Sequence, residues 1–506
     1  MSIAEASTEI DRLPPHPPVE SPGGTDLSFR PDIEGLRAVA VIAVVVYHVH
    51  ASWLRGGFVG VDVFFVISGF LITGLLLKEA SIRGTVSILG FYARRARRIL
   101  PAAMTVIIIT VLASYLIQNF GAYGFVAQDG KWASLFATNF HFWLVGIDYA
   151  RLGTAPSPLL HYWSLAVEEQ FYLAWPLVFL ALAVSNRIGL ITSRAIQIMT
   201  VVSLSAVSVF MIVAQFEWNF KMGWLVIAWF VALAVRHHRV QSPKILGSLL
   251  VALSALSVLE IVWDFRSVLL VGLIFATLWR NLDFKWRILL VATVGVVVSF
   301  IWSVQQTTSY PQWAYFSPFT RAWELGIGAV VAVIAPNLKK LDHKIGMAVA
   351  WLGLASIVYS AWRFGNVSNF PGSEALWPVL GAAAIIVGGS SGTGAGHLLG
   401  LRPIRSIGRV SYGWYLLHYP FMIILTGPIF LHQLSAGENS VIAIVTLALA
   451  YVMYWSLERP IRRSVYLARN PVVSLALGQQ FVLGAFLLCL ILTPTIHSLW
   501  LSNILP

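Results

Sequence analysis

An arginine and a histidine lie in the first apolar run of the chain, where hydrocarbon would penalise both side chains. Arg37 and His48 are eleven positions apart, and at about 100° per residue this spacing puts both on one helix face, roughly 16 Å apart. Imidazole titrates near neutral pH, so His48 is a candidate general base that removes a proton from an acceptor hydroxyl. The structural alternative is a histidine hydrogen-bonded between two helices.

Three carboxylates in neighbouring segments are candidates for orienting this histidine. Asp62 opens the second apolar run, and Glu168 and Glu169 are adjacent in HYWSLAVEEQFYLAWP. Ionisable residues in membrane segments are either functional or ion-paired, and two adjacent carboxylates are difficult to explain as packing. We therefore group Asp62, Glu168 and Glu169 with His48 as the predicted catalytic residues. The alternative for the glutamates is an ion pair with an arginine.

Basic residues are crowded in the segment FYARRARRILP. Arg95 and Arg98 are three positions apart and share a helix face. Guanidinium groups bind phosphates bidentately, so these two residues, with Arg37 and Arg94, are predicted to bind a phosphorylated cofactor. The alternative is that the charges only set the orientation of the chain, because cytoplasmic loops are rich in Lys and Arg.

A further set of polar and aromatic residues is predicted to bind the substrate. Ser164, Glu168 and Tyr172 follow one another at intervals of four, so they share a helix face. Arg321 and Glu324 are three positions apart, and a structural ion pair is the alternative for them. The complete set consists of Trp163, Ser164, Tyr172, Arg321, Glu324, Tyr415 and His418.

The elements that position these residues are membrane helices. Of the 506 residues, 58% are hydrophobic and 11% are charged, and the mean hydropathy is +0.77. Repeated apolar runs near the length that crosses about 30 Å of hydrocarbon predict an all-α, polytopic integral membrane protein. We count about 15 spans, within a range of roughly 11 to 16. The single cysteine excludes an internal disulfide and a thiolate metal cluster, and no metal is expected.

The net charge of +12 is better explained by membrane topology than by nucleic-acid binding, because the basic residues fall in short loops on one side. The chain is therefore expected in the plasma (inner) membrane, with a cytoplasmic N-terminus and no nucleic-acid partner. Residues 1–30 are Pro-rich and polar and are predicted to be a disordered cytoplasmic tail. Residues 31–463 form the predicted membrane domain, and 464–506 a final membrane helix with a short extracytoplasmic tail.

Seven sequence blocks, in order, resemble the acyltransferase-3 family of membrane O-acyltransferases. They cover about 29–185 and 314–463, and they are FRPDIEGLRAVAVIAVVVYH, GGFVGVDVFFVISGFLIT, FYARRARRILP, HYWSLAVEEQFYLAWP, AYFSPFTRAWELGIGA, GRVSYGWYLLHYP and LERP. The resemblance implies transfer of an acyl group, usually acetyl, from cytoplasmic acyl-CoA to a hydroxyl of an extracytoplasmic glycan or glycolipid.

The resemblance also implies roles for particular residues. It makes His48 the catalytic histidine, and it makes Arg37 and the Arg95–Arg98 pair the residues that serve acyl-CoA. The family's Trp-Ser-Leu and Glu-Glu-Gln block falls on Trp163–Gln170. The roughly 16 Å between Arg37 and His48 suits an extended pantetheine arm, so direct transfer is expected, with a covalent acyl-protein relay as the variant.

Two features depart from the family pattern. Residues 196–304 are predicted to contain about four helices more than the single span expected there. Many relatives continue into an extracytoplasmic SGNH-type domain, whereas this sequence ends at Pro506. Three alternatives are open. The chain works alone, a separate extracytoplasmic transferase partner completes the reaction, or the last helix is a remnant.

Two other classes of function compete with the enzyme. In a transporter or flippase of a glycolipid or acyl-bearing substrate, the intramembrane charges would carry substrate or a proton. A non-enzymatic assembly or receptor protein of the envelope is the third class. Both leave the arginine cluster with no role beyond topology.

Overall fold

The computed structural model describes residues 30–118, 120–145, 156–186, 283–338, 342–365, 370–391, 394–426 and 434–493. Within these ranges the chain consists of helices and short connections, with no β-strand, which confirms the all-α prediction. The apolar runs predicted between 196 and 280 lie outside the described residues, and so does the predicted tail up to residue 29. The span count of about 15 therefore stays a prediction.

The described α-helices are numbered here in chain order. They are α1 (Pro31–Val49), α2 (Gly60–Arg83), α3 (Ile88–Ile117), α4 (Phe120–Ser134), α5 (Thr138–Val145), α6 (Tyr162–Asn186), α7 (Phe284–Ser309), α8 (Pro311–Phe316), α9 (Pro318–Leu338), α10 (His343–Arg363), α11 (Leu376–Gly388), α12 (Ala395–Leu399), α13 (Arg402–Leu425), α14 (Ala436–Met453), α15 (Arg459–Arg463), α16 (Val465–Arg469) and α17 (Pro471–Leu492). A π-helical turn, Tyr454–Glu458, joins α14 to α15.

Eight helical stretches in the described part of the chain are long and apolar enough to cross a membrane. They are Gly57–Arg83, Ile88–Ile117, Tyr162–Ala183, Phe284–Ser309, Pro311–Leu338, His343–Arg363, Ala436–Arg463 and Pro471–Leu492. By length and composition, the chain is a multi-pass membrane protein. Helices α1 and α13 are 19 and 24 residues long but carry more charges: Asp32, Glu34 and Arg37 in α1, and Arg402, Arg405 and Arg409 in α13.

Glycines allow several helices to touch backbone to backbone. Where α2 crosses α9, a Cβ at Gly69 would overlap the carbonyl of Leu325, and a Cβ at Gly328 would overlap the carbonyl of Val66. Where α13 crosses α1, a Cβ at Gly408 would overlap the carbonyl of Glu34. Small residues at such crossings give membrane helices their closest packing. These contacts bring α1, α2, α9 and α13 together around the candidate site.

Replacement of Gly69 by alanine is expected to destabilise the protein, because the new methyl group meets rigid backbone that cannot move aside. Overpacking of this kind lowers the free energy of unfolding by about 1–3 kcal/mol or more. Gly295→Ala is the matched control, since no atom lies within 4 Å of a Cβ built at Gly295. Thermal unfolding in detergent micelles compares the two variants. Equal midpoints would contradict the tight crossing.

A hydrogen-bonded turn sets the start of α3 relative to the end of α2. Ser87 caps α3 by accepting a hydrogen bond from the amide of Gly90, at 3.2 Å. The carboxylate of Glu79, on α2, accepts from the amide of Ser87 at 3.0 Å and from Arg94 at 2.7 Å. The bond between Glu79 and the Ser87 amide thus links the end of α2 to the start of α3.

Candidate active site

A cavity lies between α1, α2, α3, α6 and α13. It contains about 780 Å³ of space that protein atoms do not fill, part of it open to solvent. One part of its wall, the arginine end, is formed by Arg37, Arg95 and Arg98. Another part, the hydroxyl end, is formed by Ser164 and Tyr415. The cavity therefore joins residues that the sequence suggested for cofactor binding to residues that it suggested for substrate binding.

The guanidinium groups at the arginine end have no ion-pair partner among the described residues. The guanidinium of Arg95 lies 4.0 Å from the centre of the Tyr172 ring, a cation–π contact. Arg94, in contrast, is exposed and forms an ion pair with Glu79. The structure thus brings Arg37, Arg95 and Arg98 together and leaves Arg94 outside the cavity.

The two glutamates of α6 also line this cavity. Glu168 accepts hydrogen bonds from the hydroxyl groups of Ser68 and Tyr172. Glu169 lies on the same wall, close enough to Arg95 to interact with it electrostatically. Neither carboxylate forms a hydrogen bond with His48, so the predicted orienting role is not reflected in the described contacts.

Glu458 is a further charged residue of this region, and sequence reasoning missed it. The π-helical turn Tyr454–Glu458 buries the Glu458 side chain near Arg37 and Arg98. Single π-turns within α-helices are frequent at functional sites. No sequence pattern signals such a turn, which explains why Glu458 was not among the candidates.

Two hydroxyl groups meet at the hydroxyl end of the cavity. Ser164 Oγ and the Tyr415 hydroxyl are 2.7 Å apart, and both also lie within hydrogen-bond distance of the backbone carbonyl of His161. The ring of Phe64 stands edge-on to Tyr415, with 6.2 Å between the ring centres. The ring of His418 is 5.7 Å from that of Tyr415. Tyr415 thus lies between the cavity and the histidines.

His48 and His418 form a hydrogen-bonded pair at this end of the site. His48 Nδ1 lies 3.0 Å from His418 Nε2, and His418 Nδ1 lies 3.1 Å from the backbone carbonyl of Trp414. His48 is half-buried and packs against Tyr419, whereas His418 is completely buried. The residue predicted as the catalytic base therefore contacts a residue that was predicted to bind substrate.

Asp62 belongs to a separate buried ion cluster. Arg321 Nη1 donates hydrogen bonds to Asp62 Oδ1 and to Glu324 Oε1, both at 2.7 Å. The Arg321 side chain is only 1% exposed, and the Trp163 and Tyr315 rings lie beside its guanidinium. The structure thus gives Arg321 and Glu324 the ion pair that was the alternative to substrate binding. Asp62 joins that pair instead of orienting His48.

The part of the chain that the structure describes contains no recognisable metal site. No group of three or more His, Cys, Asp or Glu side chains there is arranged to hold a metal ion. The site offers guanidinium, carboxylate, hydroxyl and imidazole groups. These groups suit binding of an anion and proton transfer.

Several curated proteins are similar to this chain. Peptidoglycan O-acetyltransferase OatA of Listeria monocytogenes is 27% identical over 455 residues, 87% of this chain and 57% of the relative. Putative peptidoglycan O-acetyltransferase YrhL of Bacillus subtilis is 27% identical over 450 residues, covering 86% and 55%. A putative O-acetyltransferase of Staphylococcus aureus strain MSSA476 is 38% identical over 156 residues, covering 31% and 26%.

The chain spans little more than half the length of the first two relatives. No solved structure matches it. The acyltransferase-3 family, described as an acyltransferase domain, matches residues 30–265 and 222–455. These matches include α1, α2, α3, α6 and α13, the helices that surround the cavity. The resemblance found in the sequence is confirmed, and the chain belongs to the acyltransferase-3 family.

Proposed function

We propose that this chain is a membrane O-acyltransferase. It transfers an acyl group, acetyl in the names of its relatives, from acyl-CoA to a hydroxyl of a cell-envelope glycan or glycolipid. The observation that carries the proposal is the cavity: its wall holds guanidinium groups with no ion-pair partner among the described residues, and its Tyr415 contacts His418 of the His48–His418 pair. The guanidinium groups can bind a donor that carries phosphates, and His48 can accept the proton of the acceptor hydroxyl.

The donor end of the reaction uses the arginines. CoA carries several phosphate groups, and Arg37, Arg95 and Arg98 supply fixed positive charge and many N–H donors for them. The thioester then extends past α6 towards Ser164 and Tyr415 at the hydroxyl end. Along α1, Arg37 and His48 are about 16 Å apart, so a single extended donor serves both groups.

The acyl transfer itself uses His48 as general base. His48 takes the proton of the acceptor hydroxyl as that oxygen attacks the thioester carbonyl. The carbon–sulfur bond breaks, and the leaving thiolate of CoA takes up the proton from His48. The acyl group thus moves to the acceptor oxygen and the proton to sulfur, with no other reactant needed.

The setting of the reaction follows from the charge pattern of the chain. We place the N-terminus in the cytoplasm and the protein in the plasma membrane, because basic residues favour cytoplasmic loops. The CoA ester then binds from the cytoplasmic side, and the acceptor enters from outside. A separate extracytoplasmic transferase is the partner that would carry the acyl group further.

Thioester turnover by the purified full chain tests the proposed function. The protein in liposomes receives radiolabelled acetyl-CoA and an envelope glycan fraction, beside the His48→Ala variant matched for folding. Label on the glycan with the wild type alone is the expected result. A folded wild-type protein that turns over no acyl-CoA with any acceptor, yet moves a glycolipid between leaflets, would instead favour a flippase.

Replacement of Arg98 by alanine is expected to raise KM for acetyl-CoA by about 10-fold or more, because a charge-assisted hydrogen bond contributes about 1.5–3 kcal/mol. Initial rates over a range of acetyl-CoA concentrations measure this change. Arg94→Ala is the matched control, since Arg94 is exposed and paired with Glu79 outside the cavity. Equal KM values for the two variants would argue against donor binding at the arginine end.

A further inference from the structure

We infer that His418 is a positioning residue that holds His48 in the tautomer whose Nε2 is free to take up a proton. The inference rests on the proposed function, in which His48 is the general base. It replaces the substrate-binding role that the sequence suggested for His418, and it gives His48 an orienting partner other than a carboxylate. The argument starts from the two hydrogen bonds that His418 makes.

The direction of both hydrogen bonds follows from a backbone carbonyl. The carbonyl of Trp414 can only accept, so His418 Nδ1, 3.1 Å away, must carry the proton and donate it. In a neutral imidazole the other nitrogen is then an acceptor, which makes His418 Nε2 the acceptor in the 3.0 Å contact. His48 Nδ1 must therefore be the donor. The remaining nitrogen of His48, Nε2, keeps its lone pair.

The surroundings of His418 hold it in this arrangement. Its side chain is completely buried, and the rings of Tyr415, Tyr419 and His161 pack around it. Two carboxylates of this region have other partners: Asp62 is bonded to Arg321, and Glu168 to Ser68 and Tyr172. No described carboxylate bonds to either histidine, so His418 acts on His48 as a neutral acceptor.

The same contact is retained when His48 carries the proton. The imidazolium has two N–H groups, and Nδ1–H continues to donate to His418 Nε2, which has no other described donor. An acceptor in this position both fixes the tautomer and stabilises the charge that develops during transfer, as outer residues do for metal-bound histidines. Without it, His48 loses its side-chain hydrogen bond and keeps the contact with the backbone carbonyl of Val44, which holds the ring less firmly than both contacts together.

Variants of His418 in the full chain test this role, alone and combined with His48→Ala. His418→Leu removes the acceptor at similar size, and kcat for acetyl transfer should fall about 10- to 100-fold while KM for acetyl-CoA stays within about twofold. His418→Gln supplies an amide oxygen as acceptor and should recover at least about a third of the wild-type kcat. In the His48→Ala background, His418→Leu should cause no further loss, since the two residues act as a unit.

Three results would overturn the inference. The first is a His418→Leu variant as active as wild type. The second is a His418→Gln variant no more active than His418→Leu. The third is a fall in kcat from His418→Leu that is as large in the His48→Ala background as in the wild type. Failure of the proposed function looks different, because His48→Ala would then be as active as wild type or the wild type would not turn over acetyl-CoA at all.

Nitrogen NMR of the wild-type chain in lipid measures which ring nitrogens of the histidines carry protons. This measurement does not depend on how the activity variants fold. With isotope-labelled histidine, and His48→Gln to assign the signals, His48 should be protonated at Nδ1 and unprotonated at Nε2. His418 should also be protonated at Nδ1. A His48 signal showing Nε2–H instead would overturn the inference.

Discussion

Replacement of His48 by alanine is expected to lower kcat for acetyl transfer roughly 100- to 10,000-fold, the range that general bases contribute. KM for acetyl-CoA should change little, because Arg37, one of the arginines that we propose for donor binding, lies about 16 Å from His48 along α1, and Arg95 and Arg98 lie on α3. Release of free CoA and labelling of the acceptor glycan, measured together in proteoliposomes, check both quantities. The effect is large because, in the proposed mechanism, His48 is the imidazole whose Nδ1 is bonded to His418 and whose Nε2 takes the proton.

His50→Ala provides the control for the His48 variant. His50 is two residues further along, is exposed, and its hydrogen-bond partner is the neighbouring Ser52 hydroxyl at 2.6 Å. Its replacement removes an imidazole from the same segment without touching the site. The general-base role fails if the His48 and His50 variants have the same activity and both proteins are folded.

The largest loss of stability is expected from Arg321→Met. Removal of this guanidinium leaves Asp62 and Glu324 buried next to each other without a counter-charge. Breaking a buried ion pair from one side lowers the free energy of unfolding by about 3–5 kcal/mol. Unfolding by SDS in mixed micelles measures the change. Adding Asp62→Asn and Glu324→Gln to the variant should restore part of the loss, since both charges are then gone.

Arg83→Met tests whether burial of the ion pair causes the loss of stability expected for Arg321→Met. Arg83 pairs with Glu79 at 3.2 Å, but its side chain is 62% exposed. Exposed ion pairs contribute about 0–1 kcal/mol, so this variant should unfold almost as the wild type does. If Arg321→Met unfolds at the same SDS concentration as Arg83→Met, the buried cluster has no special stabilising role.

Local periodicity predicted much of this structure. Apolar runs of about 20 residues indicated the helices, because a spanning helix needs that length. The three-residue spacing of Arg95 and Arg98 indicated that they share a face, and both line the cavity. The same geometry explains Arg94, which lies one residue earlier and thus about 100° around α3, outside the cavity. Arg94 was predicted to bind the cofactor because it belongs to a cluster of positive charges, although it does not share the helix face of Arg95 and Arg98.

Contacts between distant segments could not be predicted in the same way. His48 and His418 are separated by 370 positions, and Asp62 and Arg321 by 259. Which helices lie side by side depends on how their whole surfaces pack, and one sequence gives little information about that order. The sequence therefore singled out polar residues that the structure brings into contact with one another, but it did not predict several of their partners. His418 and Asp62 are the residues whose partners differ most from expectation.

The glycine crossings bear on how a substrate enters. Backbone-to-backbone contact joins α2 to α9 at Gly69 and α1 to α13 at Gly408, so we expect these helices to form a rigid frame. Helix α6 contains no glycine, and it is tied to the frame by side-chain bonds such as those of Ser164 and Glu168. Side-chain bonds can exchange partners with an incoming ligand, whereas a backbone crossing cannot. We therefore expect α6 to be the helix that shifts when a ligand enters the cavity, and Glu168 and Glu169 to shift with it.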